Sequence, residues 1–332
     1  MPTELSYRIE ALPLREPLQI AGHCFADVPV LLLHLSDGTH EGRSEAAGVY
    51  YLQDRPADML PALESLRGEI AAGLDRPSLR GRLRAGGARN ALDCALWEIE
   101  ARRRGCAVWQ LAGVPSPRPL RTTFTLGADD PGRMAARARA RADAEALKLK
   151  LTGEPDLDIE RVRAVRAARP QAWLSVDANQ GYAVATIGPL LPVLADCGVQ
   201  LLEQPFARGR EQDMREVDFP LDTAADESCL DLAELERVEG LFDMVNIKLD
   251  KCGGLTEGLL IAAQARRMGL KVMVGNMGGS SLAMAPAFVL GQLCDVVDLD
   301  GPTFLARDRS PAVRYPAGRI FSPGAVWGGH GF

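Results

Sequence analysis

Apolar and polar positions along the chain fall into two regimes. Up to about residue 60 the sequence reads as strands and turns: an alternating start, the apolar run Val28-Pro-Val-Leu-Leu-Leu-His-Leu, then Ser36-Asp-Gly as a turn. From about 56 to 104 the period lengthens, and Ala91, Leu92, Ala95, Leu96 and Ile99 recur at i, i+3, i+4 spacing, which predicts a helix with one buried face. Pro115 to Pro119 marks a boundary. Beyond it short apolar runs return every 22 to 27 residues, ending near 126, 151, 177, 203, 226, 248, 275 and 298, with helical stretches between them. Several stretches close on a glycine before the next run (Gly198, Gly240, Gly269), the residue that ends a helix in the left-handed conformation. Crossover helices force neighbouring strands to run parallel. Eight units of similar size predict a closed α/β barrel; the alternative, an open doubly wound sheet, calls for a Gly-rich phosphate loop that the first strand lacks.

At 332 residues the chain can bury a substantial core, as two domains or one large barrel with an attachment. A formal charge of −6 with no basic run argues against nucleic acid or an anionic membrane as partner. The early apolar run Val28–Leu33 is far too short to span a bilayer, and the N-terminus carries no basic-then-apolar signal peptide. Seven scattered cysteines, never spaced Cys-x-x-Cys, suit neither a disulfide framework nor a zinc ribbon and fit a reducing cytoplasm. Histidine occurs only at 23, 34, 40 and 330, so proton chemistry in between falls to lysines or carboxylates.

Of 38 basic residues only five are lysine: Lys148, Lys150, Lys248, Lys251 and Lys271. An ammonium can lose its proton near neutrality when its surroundings disfavour charge, and a guanidinium cannot. The two tight lysine pairs therefore carry the most chemical interest. In Leu147-Lys-Leu-Lys-Leu151 alternate residues share a face, so the leucines turn outward and Lys148 and Lys150 point into the barrel near its C-terminal rim. The plainer reading is an edge strand bearing two solvated lysines. The next three strands each end in an acid: Asp177, Glu203 and Asp226. A lone strand-end acid is ordinarily a helix cap or loop salt bridge, but three on consecutive strands converge, and like charges so placed need a cation. Oxygen donors from separate strands suit Mg²⁺. The sixth strand ends in Asn246-Ile-Lys248 and the eighth in Asp298-Leu-Asp300. On an eight-membered ring strands two and six are opposite, so Lys150 faces Lys248. Strand eight lies opposite strand four, so Asp298 and Asp300 face the metal. A substrate carboxylate on Mg²⁺ would place its α-carbon between two bases, with the enediolate stabilised by the metal. A proton leaving one face and returning on the other is a racemisation or epimerisation.

Taken together, Lys148-x-Lys150, Asp177, Glu203, Asp226-Glu-Ser and Asn246-Ile-Lys248 resemble the enolase superfamily, muconate lactonizing enzyme subgroup, over nearly the whole chain. The resemblance implies a modified TIM barrel of (β/α)7β type over residues 121–304. It also implies an N-terminal α+β capping domain over residues 1–120, completed by a returning C-terminal segment, residues 305–332. It implies Lys150 and Lys248 as bases for opposite enantiomers, Lys148 as electrostatic support, and Mg²⁺ on Asp177, Glu203 and Asp226. Asp298-x-Asp300 is similar to the pair that binds the α-ammonium of an L-Ala-Xaa substrate in dipeptide epimerases. Thr125 would then lie beside the substrate carboxylate, with Asn276 and Gly278 at the substrate backbone. Many such enzymes carry Met-x-Glu-Ser after strand seven, where this chain has Met277-Gly-Gly-Ser280; Gly279 replaces the glutamate and leaves glutamate specificity open. Side-chain selectivity would come from cap segments 15–25 and 46–52, with Arg15 and His23 placed to meet an acid and Tyr50 and Tyr51 to close over the site. Rival readings are an N-acylamino-acid racemase, a cycloisomerising or β-eliminating relative, a Schiff-base lysine aldolase and a non-catalytic binding barrel. In each the partner is a small molecule, and a homo-oligomer is left open.

Overall fold

The structure is a computed structural model that describes residues 2–20 and 23–329; the side chains of residues 19, 20 and 23, including His23, lie outside the described residues. Eight parallel strands follow the second regime of the sequence: Thr123–Leu126, Ala146–Lys150, Trp173–Asp177, Val199–Glu203, Asp222–Ala225, Met244–Lys248, Lys271–Gly275 and Val296–Val297. They are ordered in space as in sequence, each hydrogen-bonded to the next. Between the eighth strand and the first, side chains make the seam. Thr122 Oγ1 accepts from Leu299 N at 2.9 Å, and Thr123 Oγ1 donates to Asp298 Oδ1 at 2.6 Å. The result is a nearly closed barrel beside a separate antiparallel sheet, an α/β enolase-like fold.

Leu147, Leu149 and Leu151 turn outward into the layer between strands and helices, with Val162 and Val165 of the helix Pro155–Ala168. Inside the barrel a plug of Leu201, Ala224, Met244 and Met273 fills the floor below the rim. Gly198, Gly240 and Gly269 take positive φ values of 59, 67 and 80°, as their placement at strand entrances predicts. Two crossovers differ from expectation. Only short 3-10 helices, Glu211–Glu216 and Leu232–Arg237, follow the fourth and fifth strands. The first has one apolar residue, Met214, and so no stripe to bury, while Leu232, Leu235 and Val238 repeat every three residues, the period of a 3-10 turn.

The first regime forms a three-stranded antiparallel sheet, Glu4–Ile20, His23–Ser36 and Glu41–Ala46, in sequence order. The helix Gly87–Arg103 lies on it with Ala91, Leu92, Ala95 and Ile99 wholly buried. The approach is so close that a Cβ at Gly42 would stand 2.1 Å from the Ala95 carbonyl oxygen. Sequence periodicity shows one buried face of this helix, whereas the structure buries two. Its far side meets the barrel, where Trp97 Nε1 donates to Thr256 Oγ1 at 3.0 Å and Arg89 Nη2 to the Cys252 carbonyl at 2.5 Å. The C-terminal residues return to the cap: Arg319–Ile320 pairs with Leu120–Arg121, and Trp327 Nε1 donates to the Arg43 carbonyl at 2.9 Å. Among the described residues no helix is long and apolar enough to cross a membrane.

Candidate active site

Register brings the charged residues to one level. Lys150 is paired with Asp177 across the second and third strands, and Asp177 with Glu203 across the third and fourth. Asp226 follows directly on the fifth strand. All three carboxylates are fully buried and each offers an oxygen within 4.8 Å of the others. Four of the five lysines surround them. Lys148 Nζ lies 2.7 Å from Glu203 Oε2, 2.9 Å from Asp298 Oδ2 and 3.1 Å from Asp177 Oδ2. Lys150 Nζ is 2.5 Å from Asp177 Oδ2, and Lys248 Nζ is 2.6 Å from Asp226 Oδ2. Lys251 Nζ binds Asp226 Oδ1 at 2.5 Å and the Asn246 carbonyl at 3.0 Å. Lys150 thus stands on the Asp177 flank and Lys248 on the Asp226 flank, with Glu203 between.

The electrostatics of this cluster are those of a cation site. Burial alone pushes every carboxylate up, but Lys150 and Lys148 hold Asp177 down at about 2, and Lys248 and Lys251 hold Asp226 well below the usual range. Glu203, between two anions, goes the other way: burial and the Asp177 charge push it up to about 7. Its Oε1 accepts from Asn246 Nδ2 at 2.9 Å, while Oε2 touches Lys148 without hydrogen-bond geometry. Despite their burial, Lys148 and Lys248 are held protonated above the ordinary range, by Asp298 and Glu203 for the first and by Asp226 and Glu203 for the second. Three converging hard oxygen donors, one short of positive charge, fit a divalent cation such as Mg²⁺.

A cavity of ≈ 450 Å³ opens above the cluster, lined at its base by Lys148, Lys150, Lys248, Asp298 and Asp300 and roofed by the cap. Asp300, opposite the acids, is pushed up to about 7 by burial and by Asp298; its Oδ2 accepts from Thr125 N at 2.6 Å.

Comparison with known proteins agrees with this geometry. Residues 133–301 match the enolase C-terminal domain-like family, and residues 3–113 the mandelate racemase / muconate lactonizing enzyme N-terminal domain. The chain belongs to the mandelate racemase / muconate lactonizing enzyme family of the enolase superfamily. It is 37% identical to the L-Ala-D/L-Glu epimerase of Escherichia coli over 94% of this chain and 97% of that one. It is 36% identical to an N-acetyl-D-glutamate racemase of a Pseudoalteromonas species, over 74% and 78%. It is 33% identical to the hydrophobic dipeptide epimerase of Roseobacter litoralis, over 99% and 98%. Among solved structures, an Agrobacterium tumefaciens enolase family member with bound sodium and L-Ala-L-Glu superposes with a TM-score of 0.93 at 34% identity, covering 98% of this chain and 100% of that one. The Enterococcus faecalis dipeptide epimerase complexed with Mg and L-Leu-L-Tyr gives 0.91 at 25% identity, covering 99% of each.

In this family member the residues singled out from sequence gather at one rim, with differences in what they touch. Asp298 is not left waiting for a ligand: Lys148 and Thr123 Oγ1 already occupy its two oxygens. Thr125, expected beside a substrate carboxylate, lines the cavity and gives its backbone N–H to Asp300 Oδ2. Asn276 and Gly278 line the cavity, but the Asn276 side chain braces the rim, donating to the Asp298 carbonyl at 2.7 Å and accepting from Gly278 N at 2.8 Å. Arg15 is exposed, does not line the cavity, and donates to the Leu305 carbonyl at 2.8 Å. At Gly279, a Cβ would meet Glu45 Oε1 at 2.9 Å. A cap glutamate fills that neighbourhood, its carboxylate accepting from Ser280 N at 2.6 Å, Ser280 Oγ at 2.6 Å and Arg309 Nε at 2.8 Å. Sequence reasoning gave no role to Gln204, which holds the Asp226 loop by accepting from Asp226 N at 2.9 Å and Ser228 N at 3.0 Å. Its place directly after a strand-end acid was the available signal.

Proposed function

We propose that this chain is an isomerase, an Mg²⁺-dependent epimerase of L-Ala-Xaa dipeptides, working by 1,1-proton transfer between two lysines. The observation that carries the reading is the pair of lysines on opposite strands, flanking an acid cluster at the base of one cavity, with a second acid pair across from it. Asp177, Glu203 and Asp226 would hold the cation. When bound, it would draw charge from the substrate carboxylate and so acidify the adjacent C–H.

The remaining work belongs to the chain. Lys150 and Lys248 approach the α-carbon from the second and sixth strands, so one takes the α-proton while the other supplies a proton to the opposite face. Lys148, fully buried, supplies fixed positive charge between the acids and Asp298. Asp300, with one oxygen spent on Thr125 N and burial making its unpaired charge costly, is the group best placed to receive the substrate ammonium, with Asp298 beside it. Thr125, Asn276 and Gly278 shape that end. For the chain as a whole we divide capping residues 1–120 and 305–332 from barrel residues 121–304. Two features support the division: the returning strand Arg319–Ile320 and the bond from Trp327 to Arg43.

An N-acyl amino acid has no cation to offer the Asp298 and Asp300 side, which favours the dipeptide over the racemase reading. Side-by-side kinetics test it: kcat/KM for an L-Ala-L-Xaa peptide is expected to exceed that for N-acetyl-L-Xaa with the same Xaa by at least tenfold. A more efficient acetylated substrate would replace this reading with the racemase.

A further inference from the structure

The function proposed above leaves the second residue of the dipeptide open, and the relatives differ in this respect. The cavity itself discriminates. With the carboxylate toward Asp177, Glu203 and Asp226, the α-carbon between Lys150 and Lys248, and the ammonium toward Asp300, the Xaa side chain has one way out. It rises toward the cap on the side of the lysines and acids.

That part of the roof is aromatic. Phe25 and Tyr50 lie edge to face, 5.1 Å between centroids at 69°, and Tyr50 and Tyr51 repeat the arrangement at 5.3 Å and 87°. The ladder stands over the lysine half of the site: burial raises the Tyr50 phenol to about 12, and the charges it feels are Lys248, Glu227 and Asp177. The Tyr51 hydroxyl is buried with no hydrogen-bond partner among the described residues. Over Asp300 the lining changes to Leu14, Val28, Met277 and Phe304, which leaves the N-terminal residue an aliphatic surface. Val28 presses on the loop after the seventh strand, where a Cβ at Gly278 would meet its Cγ1 at 3.4 Å.

The charges at the upper rim point the same way. Asp27, Asp54 and Arg55 line the mouth, and Arg55 is engaged by Asp58 at 2.8 Å. Asp54 Oδ2 accepts from Gly87 N at 2.7 Å, and burial pushes its carboxyl up. Arg15 is turned to the Leu305 carbonyl. A glutamate side chain would bring one more carboxylate beneath an aromatic roof and beside Asp27 and Asp54, where the one cap cation among the described lining residues, Arg55, is already engaged by Asp58. An apolar side chain there would exchange water for ring faces.

Resting on the epimerase reading, we infer that the second residue of the dipeptide carries a large apolar side chain, received by Phe25, Tyr50 and Tyr51, and that glutamate is a poor second residue. The test is α-deuterium uptake from D₂O by the full-length Mg²⁺-loaded enzyme, compared for L-Ala-L-Leu, L-Ala-L-Phe and L-Ala-L-Glu. The leucine and phenylalanine peptides are expected to show kcat/KM at least tenfold above the glutamate peptide. L-Ala-L-Glu turned over as well or better overturns the inference and leaves the epimerase standing. Exchange on N-acetyl-L-leucine with none on any dipeptide overturns both. Phe25→Arg would place a guanidinium on the wall and is expected to move the Glu-to-Leu ratio upward by at least tenfold. A folded variant with an unchanged ratio removes Phe25 from the side-chain site. The wild-type ratio stands as the test by itself if the variant does not fold.

Discussion

Lysine identity was the most legible feature of this sequence, and the reason is physical. A chain that otherwise uses arginine keeps four of its five lysines where ammonium groups contact buried carboxylates. Strand alternation gave the direction of Lys148 and Lys150, but not their partners: Asp298 lies 150 positions from Lys148 in sequence, and only barrel closure brings them to 2.9 Å. Gln204 stayed silent for another reason. Its amide oxygen acts on the backbone N–H groups of Asp226 and Ser228, and backbone partners leave no trace in residue type. At this scale the two-base arrangement makes a sharp prediction. Lys248→Ala and Lys150→Ala should each lose epimerisation by at least a thousandfold, the scale of a general base. Each should still exchange the α-hydrogen of one stereoisomer with D₂O through the remaining lysine, and the two variants should differ in which stereoisomer that is. NMR of the recovered peptide measures this; epimerisation by Lys248→Ala at the wild-type rate would rule out the mechanism.

Elements were legible where a stripe or an alternation existed, and lost where the chain had neither. The eight strand ends stand close to the positions read from the apolar runs, whereas the crossovers after the fourth and fifth strands lack α-helix because their sequences offer no 3.6-residue face. The loop after the seventh strand shows how an element can be set from outside. The helix Ser281–Gly291 begins at Ser280, whose N–H and hydroxyl both bond Glu45 of the cap, and this leaves room only for a glycine at 279, at φ 113°. Gly279→Ala is therefore expected to destabilise by roughly 1–3 kcal/mol, from backbone strain and the displaced carboxylate. Gly188→Ala makes the control: a Cβ there meets nothing within 4 Å and its φ is −49°, so no loss of stability is expected. Urea denaturation of both variants against wild type checks the pair, and equal midpoints for all three proteins would refute the account of Gly279.

For the whole molecule, charge balance ties stability to the cation. Three fully buried acids are held together, and Glu203 lacks a full share of positive charge. A cation that binds only the folded chain stabilises it by about 2.7 kcal/mol at a hundred times its Kd. Added Mg²⁺ should accordingly raise the thermal midpoint, a chelator should reverse the rise, and Asp226→Asn should abolish it; a midpoint indifferent to Mg²⁺ in the wild-type protein would argue against the site. Cap and barrel were readable as two regimes, but their junction was not, since the helix Gly87–Arg103 shows a single apolar stripe while its second face meets the barrel through Trp97, Asp93 and Arg89. The seam of the barrel has a consequence for how such a protein changes over generations. Asp298 and Asp300 stitch the last strand to the first through Thr123 and Thr125, so a change at either loosens the architecture together with the chemistry. On the function proposed here, new substrate ranges would open to the lineage through Phe25, Tyr50 and their neighbours, while the acid pair proposed to meet the amine would be inherited almost as a structural part.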